Sequence, residues 1–436
     1  MILDILFGIF GLGVLIGIAF IFSNNKKKIN WKLVGMGVGL QLFFAVFVLL
    51  TPWGSIVFDA LSAFFVKIIG FTFDGADFIF GALSSQAKFG QAYSVDTLSQ
   101  DPSLGFIFAF QVLPTIIFFS SLMGVLYHLG IMQVVVQGMA WVMSKTMNVS
   151  GSESLSVAAN VFIGQTEAPL VIRPYVSSMT SSELLTLMVG GMATIAGGVL
   201  AAYIGILGGT DPQMQVYYAK HLLSASIMAA PATMVIAKVL IPETQESKTR
   251  GTIKLKVEKK SANVIDAAAT GAGDGLKLAL NVAAMLLAFI ALIAMIDYLF
   301  GLVGNLGINQ LLGQQLSLTL ILGYVLSPIA WIIGVPWQDA VTVGGLIGEK
   351  VVVNEFVAYI DLGLKKAMMS DKAILISTYA LCGFANFSSI AIQIGGIGGI
   401  APDRRADLAK FGLRAVLGGS LATMMTATIA GVLTSL

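Results

Sequence analysis

Gly164-Gln165-Thr166-Glu167-Ala168-Pro169-Leu170 and Asn354-Glu355-Phe356 interrupt a chain that otherwise reads as oil. Each string sets a carboxylate among apolar residues, and each has a similar lead-in. An ionisable group at membrane depth is costly, so it marks a functional site by default. Two of them in matching positions point to a binding site built twice, which is the sequence mark of a transporter.

The surrounding composition sets the solvent. Of 436 residues, 57% are hydrophobic and only 11% charged, with a mean hydropathy of +0.89. Soluble domains carry about 25% charged residues, so the chain reads as an integral membrane protein. The net charge of +2 comes with no basic tract interleaved with aromatics, which argues against nucleic acid. The single cysteine, Cys382, excludes an internal disulfide and a cysteine zinc cluster. His128 and His221 are too few and too far apart in sequence to suggest a metal site.

Spanning helices need about 20 apolar residues. The pattern predicts eight, over 2–22, 33–51, 104–127, 184–207, 221–241, 276–303, 373–394 and 412–434. Lys26, Lys27 and Lys28 follow the first run instead of preceding it, and no small-residue cleavage pattern ends it. It therefore reads as a retained helix with its N-terminus outside. The stretch 55–90 is broken by Asp59, Lys67, Asp74 and Asp77 and reads as interfacial, as do 131–148 and 310–334. The hydrophilic segment 242–263, with Lys248, Arg250, Lys254, Lys256, Lys259 and Lys260, should be cytoplasmic, like Pro402-Asp403-Arg404-Arg405. Lys365, Lys366 and Lys372 fall outside in this scheme and count mildly against it.

The organisation is a repeat. Met139-Ala140-Trp141-Val142-Met143 and Ser152-Glu153-Ser154-Leu155 precede Glu167; Ile329-Ala330-Trp331-Ile332-Ile333 and Gln338-Asp339-Ala340-Val341 precede Glu355. About 30 residues after each carboxylate a hydrophobic helix is interrupted, at Thr194-Ile195-Ala196-Gly197-Gly198 and at Cys382-Gly383-Phe384-Ala385-Asn386-Phe387-Ser388-Ser389. An amphipathic helix, a re-entrant hairpin and a broken helix thus occur twice. Three spans separate the copies, so the second enters from the opposite face. Irregular backbone survives at membrane depth only inside protein or against a water-filled cavity.

Glu167, with Gln165 and Thr166, offers acceptors and donors at the first tip; an ion pair with Arg173 is the structural alternative. Glu355, with Asn354, forms the second tip, and its structural alternative is a pair with Lys350. Asn386 and Ser389 share one helix face, although buried amides and hydroxyls also serve as interhelical caps. Asn160 and Thr194 supply neutral oxygens suited to Na⁺; a proton-coupled design would lean on a titrating carboxylate. Phe384 and Phe387 could stack on a flat ligand or simply pack. Gly395-Gly396-Ile397-Gly398-Gly399 lacks the Lys-Ser/Thr of a phosphate loop. Gly271-Ala272-Gly273-Asp274 resembles the string of intramembrane aspartyl proteases, but that chemistry needs a second aspartate sharing a proton. The Tyr-Asp half of that signature is missing from the preceding span, so a hydrolase working through Asp274 is the weaker reading.

Gly164 to Tyr175, Asn354-Glu355-Phe356-Val357-Ala358-Tyr359, Asn281-Val282-Ala283-Ala284-Met285-Leu286 and Cys382 to Ser389 together resemble the concentrative nucleoside transporters, in the family's order and over nearly the whole chain. The resemblance implies an all-α membrane protein of the bacterial inner membrane, multi-pass, with eight transmembrane helices, two re-entrant hairpins, interfacial helices and inverted repeats. It implies a homotrimer in lipid whose scaffold comprises 1–130 and the 242–307 loop and helix. The transport domain would comprise 131–241 and 308–436 and move as an elevator. Gln165, Thr166 and Glu167 would meet the nucleobase with Val199; Glu355, Asn386 and Ser389 would bind the ribose; Phe384 and Leu286 would line the pocket. Asn160, Ile163, Thr194 and Ile195 would hold Na⁺, the coupling ion, with no organic cofactor. Thr194 stands where a serine is common, so proton coupling is the alternative. Pyrimidine nucleosides such as uridine are the implied substrates.

Overall fold

The computed structural model describes residues 2–85, 88–89, 107–249 and 261–434, and every element among them is helical. Three helices come first: α1 (Ile2–Ile21), α2 (Trp31–Leu50) and α3 (Pro52–Phe80). A further helix, α4 (Leu113–His128), leads to the first repeat, which holds α5 (Ile131–Met147), α6 (Gly151–Asn160), α7 (Ser181–Ala193), α8 (Gly197–Gly208) and α9 (Pro212–Leu240). The long α10 (Val264–Val303) leads to the second repeat: α11 (Leu318–Ile332), α12 (Trp337–Val352), α13 (Glu355–Lys365), α14 (Asp371–Ala380), α15 (Phe387–Ile400) and α16 (Arg405–Leu433). Of the charged residues expected in the loop before α10, Arg250, Lys254, Lys256, Lys259 and Lys260 lie outside the described residues.

Contacts fix the two faces. The Asn24 N–H donates to the Leu240 carbonyl (3.0 Å), so the ends of α1 and α9 share the face that carries Lys26–Lys28. By the positive-inside rule this face is the inner one. Hairpin one opens onto it, because Lys238, two residues from the end of α9, pairs with Glu153 at 2.7 Å. The Ser182 hydroxyl donates to the Ile241 carbonyl (2.6 Å), so α7 also starts there. The second repeat is turned over. Lys372, at the start of α14, pairs with Asp4 at the other end of α1 (3.5 Å), and Lys366 donates to the Leu207 carbonyl near the end of α8 (2.6 Å). The path then descends through α14 and α15 to Arg404, whose guanidinium reaches the inner-face carbonyls of Ser177 (3.3 Å) and Met179 (2.5 Å). The outer lysines that strained the sequence scheme are thus engaged locally, with Lys365 bound to Asp361 at 2.5 Å.

Eight helical stretches among the described residues are long and apolar enough to cross a bilayer, and seven coincide with the sequence expectation. The eighth, Pro52–Ser84, includes α3. Its length would let it cross, but its contacts favour the expected interfacial course. Asp59 pairs with Lys220 (2.9 Å), about 30 Å along α9 from Leu240. At its far end Phe80 meets Phe110, with ring centres 5.0 Å apart. The neighbouring Phe108 contacts Phe356, and Phe356 packs on Tyr203 of the outward-running α8. One end is thus tied to the outer part of α9 and the other to the second hairpin tip, an arrangement that favours α3 running along the outer side, as its scattered charges suggest. The crossing expected over 373–394 is made by α14 and α15 with a break between them. Helices α11 and α12 form a bent pair at 116°.

Each break exists because something must pass. Thr194 is extended (φ −124°, ψ 170°), and a Cβ on Gly197 would press on Phe119 (3.2 Å) and the Phe162 carbonyl (3.3 Å). The Gly197 N–H donates to that carbonyl (3.1 Å), using one freed group to satisfy another. At the second break, a Cβ on Gly383 would lie 2.8 Å from the Met192 carbonyl, so the two breaks touch. Capping boxes start α6 (Ser150, Glu153) and α7 (Thr180, Glu183). Lys238 sits beneath both, also donating to Ser182 Oγ (3.0 Å).

Removing one partner of a buried ion pair costs about 3–5 kcal/mol. Lys238→Met should therefore lower the melting temperature of the purified protein by several degrees; an unchanged melt would show that the pair contributes nothing to stability.

Candidate substrate and ion site

The tips, at opposite ends of the two hairpins, meet through side chains. Gln165 Nε2 donates to Ser389 Oγ (3.0 Å), and Gln393 Nε2 donates to Gln165 Oε1 (3.0 Å) and to the Met188 carbonyl (2.9 Å). Asn386 caps α15, its Oδ1 accepting from the Ser389 N–H (2.8 Å), while its Nδ2 donates to Glu355 Oε2 (2.9 Å). Glu355 Oε1 accepts from the Tyr203 hydroxyl (3.0 Å). A continuous polar chain therefore runs from α7 through hairpin one, the second break and hairpin two to α8. Gln165, Tyr203, Glu355, Asn386, Ser389 and Gln393 are all buried. Glu355 takes one bond on each carboxylate oxygen and so joins α8 to the second break.

The structural alternatives do not form. Lys350 turns to the Ala380 carbonyl and Thr423 instead of Glu355. Glu167 is exposed and folds back over Gly164. Thr166 is half-buried, its methyl group 3.1 Å from where a Cβ on Gly396 would stand. That close approach accounts for one glycine of the Gly395–Gly399 run. Val199 and Leu286 are buried on α8 and α10, Phe384 is half-buried at the second break, and Phe387 is exposed.

Below the first tip, Asn160 is buried and neither atom of its amide has a hydrogen-bond partner among the described residues. Thr194 Oγ1 donates to the Gly190 carbonyl (2.8 Å), and a Cβ on Gly190 would lie 3.4 Å from Asn160 Nδ2. Ile195 is fully buried and Ile163 half-buried beside them. An unpaired buried amide oxygen next to helix-end carbonyls has the hard-oxygen chemistry that suits Na⁺.

Two glycines flanking Asp274, Gly271 and Gly275, have a packing role. A Cβ on Gly271 would lie 2.6 Å from the Ser120 carbonyl, and one on Gly275 would lie 2.8 Å from Ile117 Cα. Small residues four apart let α10 seat closely on α4. Asp274 itself is exposed, 3.8 Å from Lys277.

Comparison with known proteins identifies the family. Residues 10–83 and 221–431 match the family models described as Na⁺ dependent nucleoside transporter N-terminus and C-terminus, and 109–210 match one described as nucleoside recognition. An uncharacterized transporter of Bacillus subtilis, YutK, is 45% identical over 430 residues, covering 98% of this chain and 99% of that protein. The chain belongs to the Na⁺-dependent nucleoside transporter family. Sodium/nucleoside cotransporter 1 of Mus musculus is 40% identical over 97% of this chain and 63% of its own length. A structure described as CNTnw in an inward-facing substrate-bound state superposes with a TM-score of 0.88 at 42% identity, covering 99% of both chains. The family comprises transporters, not enzymes, and Na⁺ is its coupling ion. A multi-pass protein of this kind fits a bacterial inner membrane.

Tyr203 and Gln393 were not read from the sequence. Gln393 had a signal, as a lone amide one helical turn after Ser389. Tyr203 had none, since nothing in Ala201 to Gly208 points to a partner more than a hundred residues away.

The chain depends on a close approach at Gly191, where a Cβ would lie 2.8 Å from both Gln165 Cβ and Gln393 Nε2. Overpacking costs about 1–3 kcal/mol. Gly191→Val should cut nucleoside uptake by about tenfold or more while membrane insertion is retained; wild-type uptake would show that the Gln165–Gln393 contact is dispensable.

Proposed function

We propose that this protein imports nucleosides, pyrimidine nucleosides such as uridine among them, down an inward Na⁺ gradient. The observation that carries this reading is the buried chain through Gln165, Ser389, Asn386 and Glu355, which draws both hairpins and both helix breaks to one place. Glu355, Asn386 and Ser389 bind the ribose hydroxyls. Vicinal hydroxyls can take a carboxylate and an amide together, and a site built for a hydroxyl strands its own polar groups when the hydroxyl is missing. Gln165, Thr166 and Glu167 meet the base with Val199, while Phe384 and Leu286 line the apolar side. Asn160 and Thr194, with the backbone at Ile163 and Ile195, hold the ion. The ion orders hairpin one, so ion and nucleoside strengthen each other's binding reciprocally.

The two hairpins are re-entrant and belong to a moving transport domain, 131–241 with 308–436. It slides as an elevator against a scaffold of 1–130 and 242–307, within a homotrimer in lipid. Supporting this is the apolar contact between α4 and α8, where Gly197 and Gly198 lie against Ile116 and Phe119. The broad apolar flank of α10, with Leu280, Leu287 and Met295 exposed, suits lipid or neighbouring subunits.

Uptake of labelled uridine into proteoliposomes tests the reading. A Na⁺ gradient should drive accumulation and a pH gradient alone should not; the reverse result would replace Na⁺ by protons. Glu355→Gln and Asn386→Ala should abolish uptake without loss of insertion, and retained uptake in both would remove the ribose assignment. Each lost ribose bond should cost about 1.5–3 kcal/mol, so 2′- and 3′-deoxynucleosides should compete at least about tenfold more weakly.

A further inference from the structure

Lys350 is a buried lysine with no acid among the described residues within ion-pair distance. It is 1% exposed and makes no ion pair among the described residues. Its ammonium donates to the Ala380 carbonyl (2.8 Å) and to Thr423 Oγ1 (2.9 Å). Ala380 ends α14, where the helix dipole leaves a partial negative charge that favours a cation. A buried charge without a counter-charge in contact is otherwise expensive, so its presence calls for a reason.

The inverted repeat supplies one. Lys350 follows Asn160, Ala380 follows Gly190 and Thr423 follows Thr233 by one and the same interval, the interval that also separates Trp331 from Trp141. The three-dimensional grouping repeats as well. A Cβ on Gly190 would lie 3.4 Å from Asn160 Nδ2 and 3.7 Å from Thr233 Cγ2, so the first trio clusters as the second does. The trios differ in how their polar atoms are satisfied. In the second, the ammonium binds carbonyl and hydroxyl. In the first, both amide atoms of Asn160 and the hydroxyl of Thr233 are buried without partners among the described residues. One half carries its cation on its own chain; the other has stranded oxygens and no charge.

We propose that the Lys350 ammonium is a tethered cation, doing for the second repeat what Na⁺ does for the first, and that Thr233 belongs to the Na⁺ site. The proposal rests on the Na⁺ site assigned above to Asn160 and Thr194. Hairpin two is then closed over the end of α14 whether or not ions are present. Hairpin one closes only when an ion arrives from solution. Sodium therefore acts on one repeat alone, and a single Na⁺ accompanies each nucleoside.

Exchanging the two chemistries tests this. Lys350→Asn rebuilds the first trio in the second repeat, and Asn160→Lys does the opposite. The readouts are the Na⁺ dependence of uridine uptake and the Na⁺-induced rise in melting temperature, which reports ion binding through linkage. For a single coupled ion the wild type should show a Hill coefficient of about 1, and Lys350→Asn should need more Na⁺ with a coefficient approaching about 2. Lys350→Met, which offers no ligand, should be inactive at every Na⁺ concentration. Asn160→Lys should bind nucleoside without Na⁺ and lose its Na⁺-induced melting shift. Wild-type Na⁺ dependence in Lys350→Asn or Lys350→Met, or a persistent Na⁺ requirement in Asn160→Lys, would overturn the proposal. A wild-type protein that accumulates no nucleoside under a Na⁺ gradient would defeat the transport reading instead. The melting shifts of the exchanged variants would still decide this one.

Discussion

Two helices stop inside the protein, at Ala193 and at Ala380, and each stop frees buried backbone groups that need partners. Much of the central architecture answers that problem. The Gly197 N–H takes the Phe162 carbonyl, Thr194 takes the Gly190 carbonyl, and Lys350 takes the Ala380 carbonyl. The breaks touch, with Gly383 pressed on the Met192 carbonyl, so the freed groups of both halves share one small volume. A ligand that completes such a set gains more than it would in water, because the low local dielectric strengthens every bond it makes.

The polar chain is stiff for the same reason. Two of its amides are used from both sides: Gln165 accepts from Gln393 and donates to Ser389, while Asn386 caps α15 and donates to Glu355; Gln393 only donates, its Oε1 being buried without a partner among the described residues. Rotating one member would strand another. On the proposed ribose assignment, selectivity is a property of the whole set, since a guest lacking a hydroxyl would leave buried groups unpaired.

Much of this was legible in the sequence, for physical reasons. Charges are so rare in the chain that Glu167 and Glu355 stand out, and Gly197 and Gly383 fall in the breaks between helices. The same scarcity of polar residues separated 55–90, with its scattered charges, from the true crossings, although the helix there is long enough to span. Contacts across the repeat were not legible. Tyr203 reaches Glu355 and Lys350 reaches Thr423 through distances that only the folded chain defines. The placement of Glu167, exposed while Glu355 is buried, was hidden as well, because the two strings look alike. Their different surroundings come from neighbouring helices and not from the strings themselves.

The clasp at Arg404 constrains how such a molecule can open. Its guanidinium holds the carbonyls that close the base of hairpin one, and the neighbouring Asp403 accepts from the Ser177 hydroxyl (2.9 Å). With Gln165–Gln393 at the centre and Lys366 on the Leu207 carbonyl at the outer rim, the two halves are stitched at three depths. Parting them like the shells of a clam would tear all three seams at once. The halves must keep company, and whatever exposes the middle to one side or the other has to happen around them.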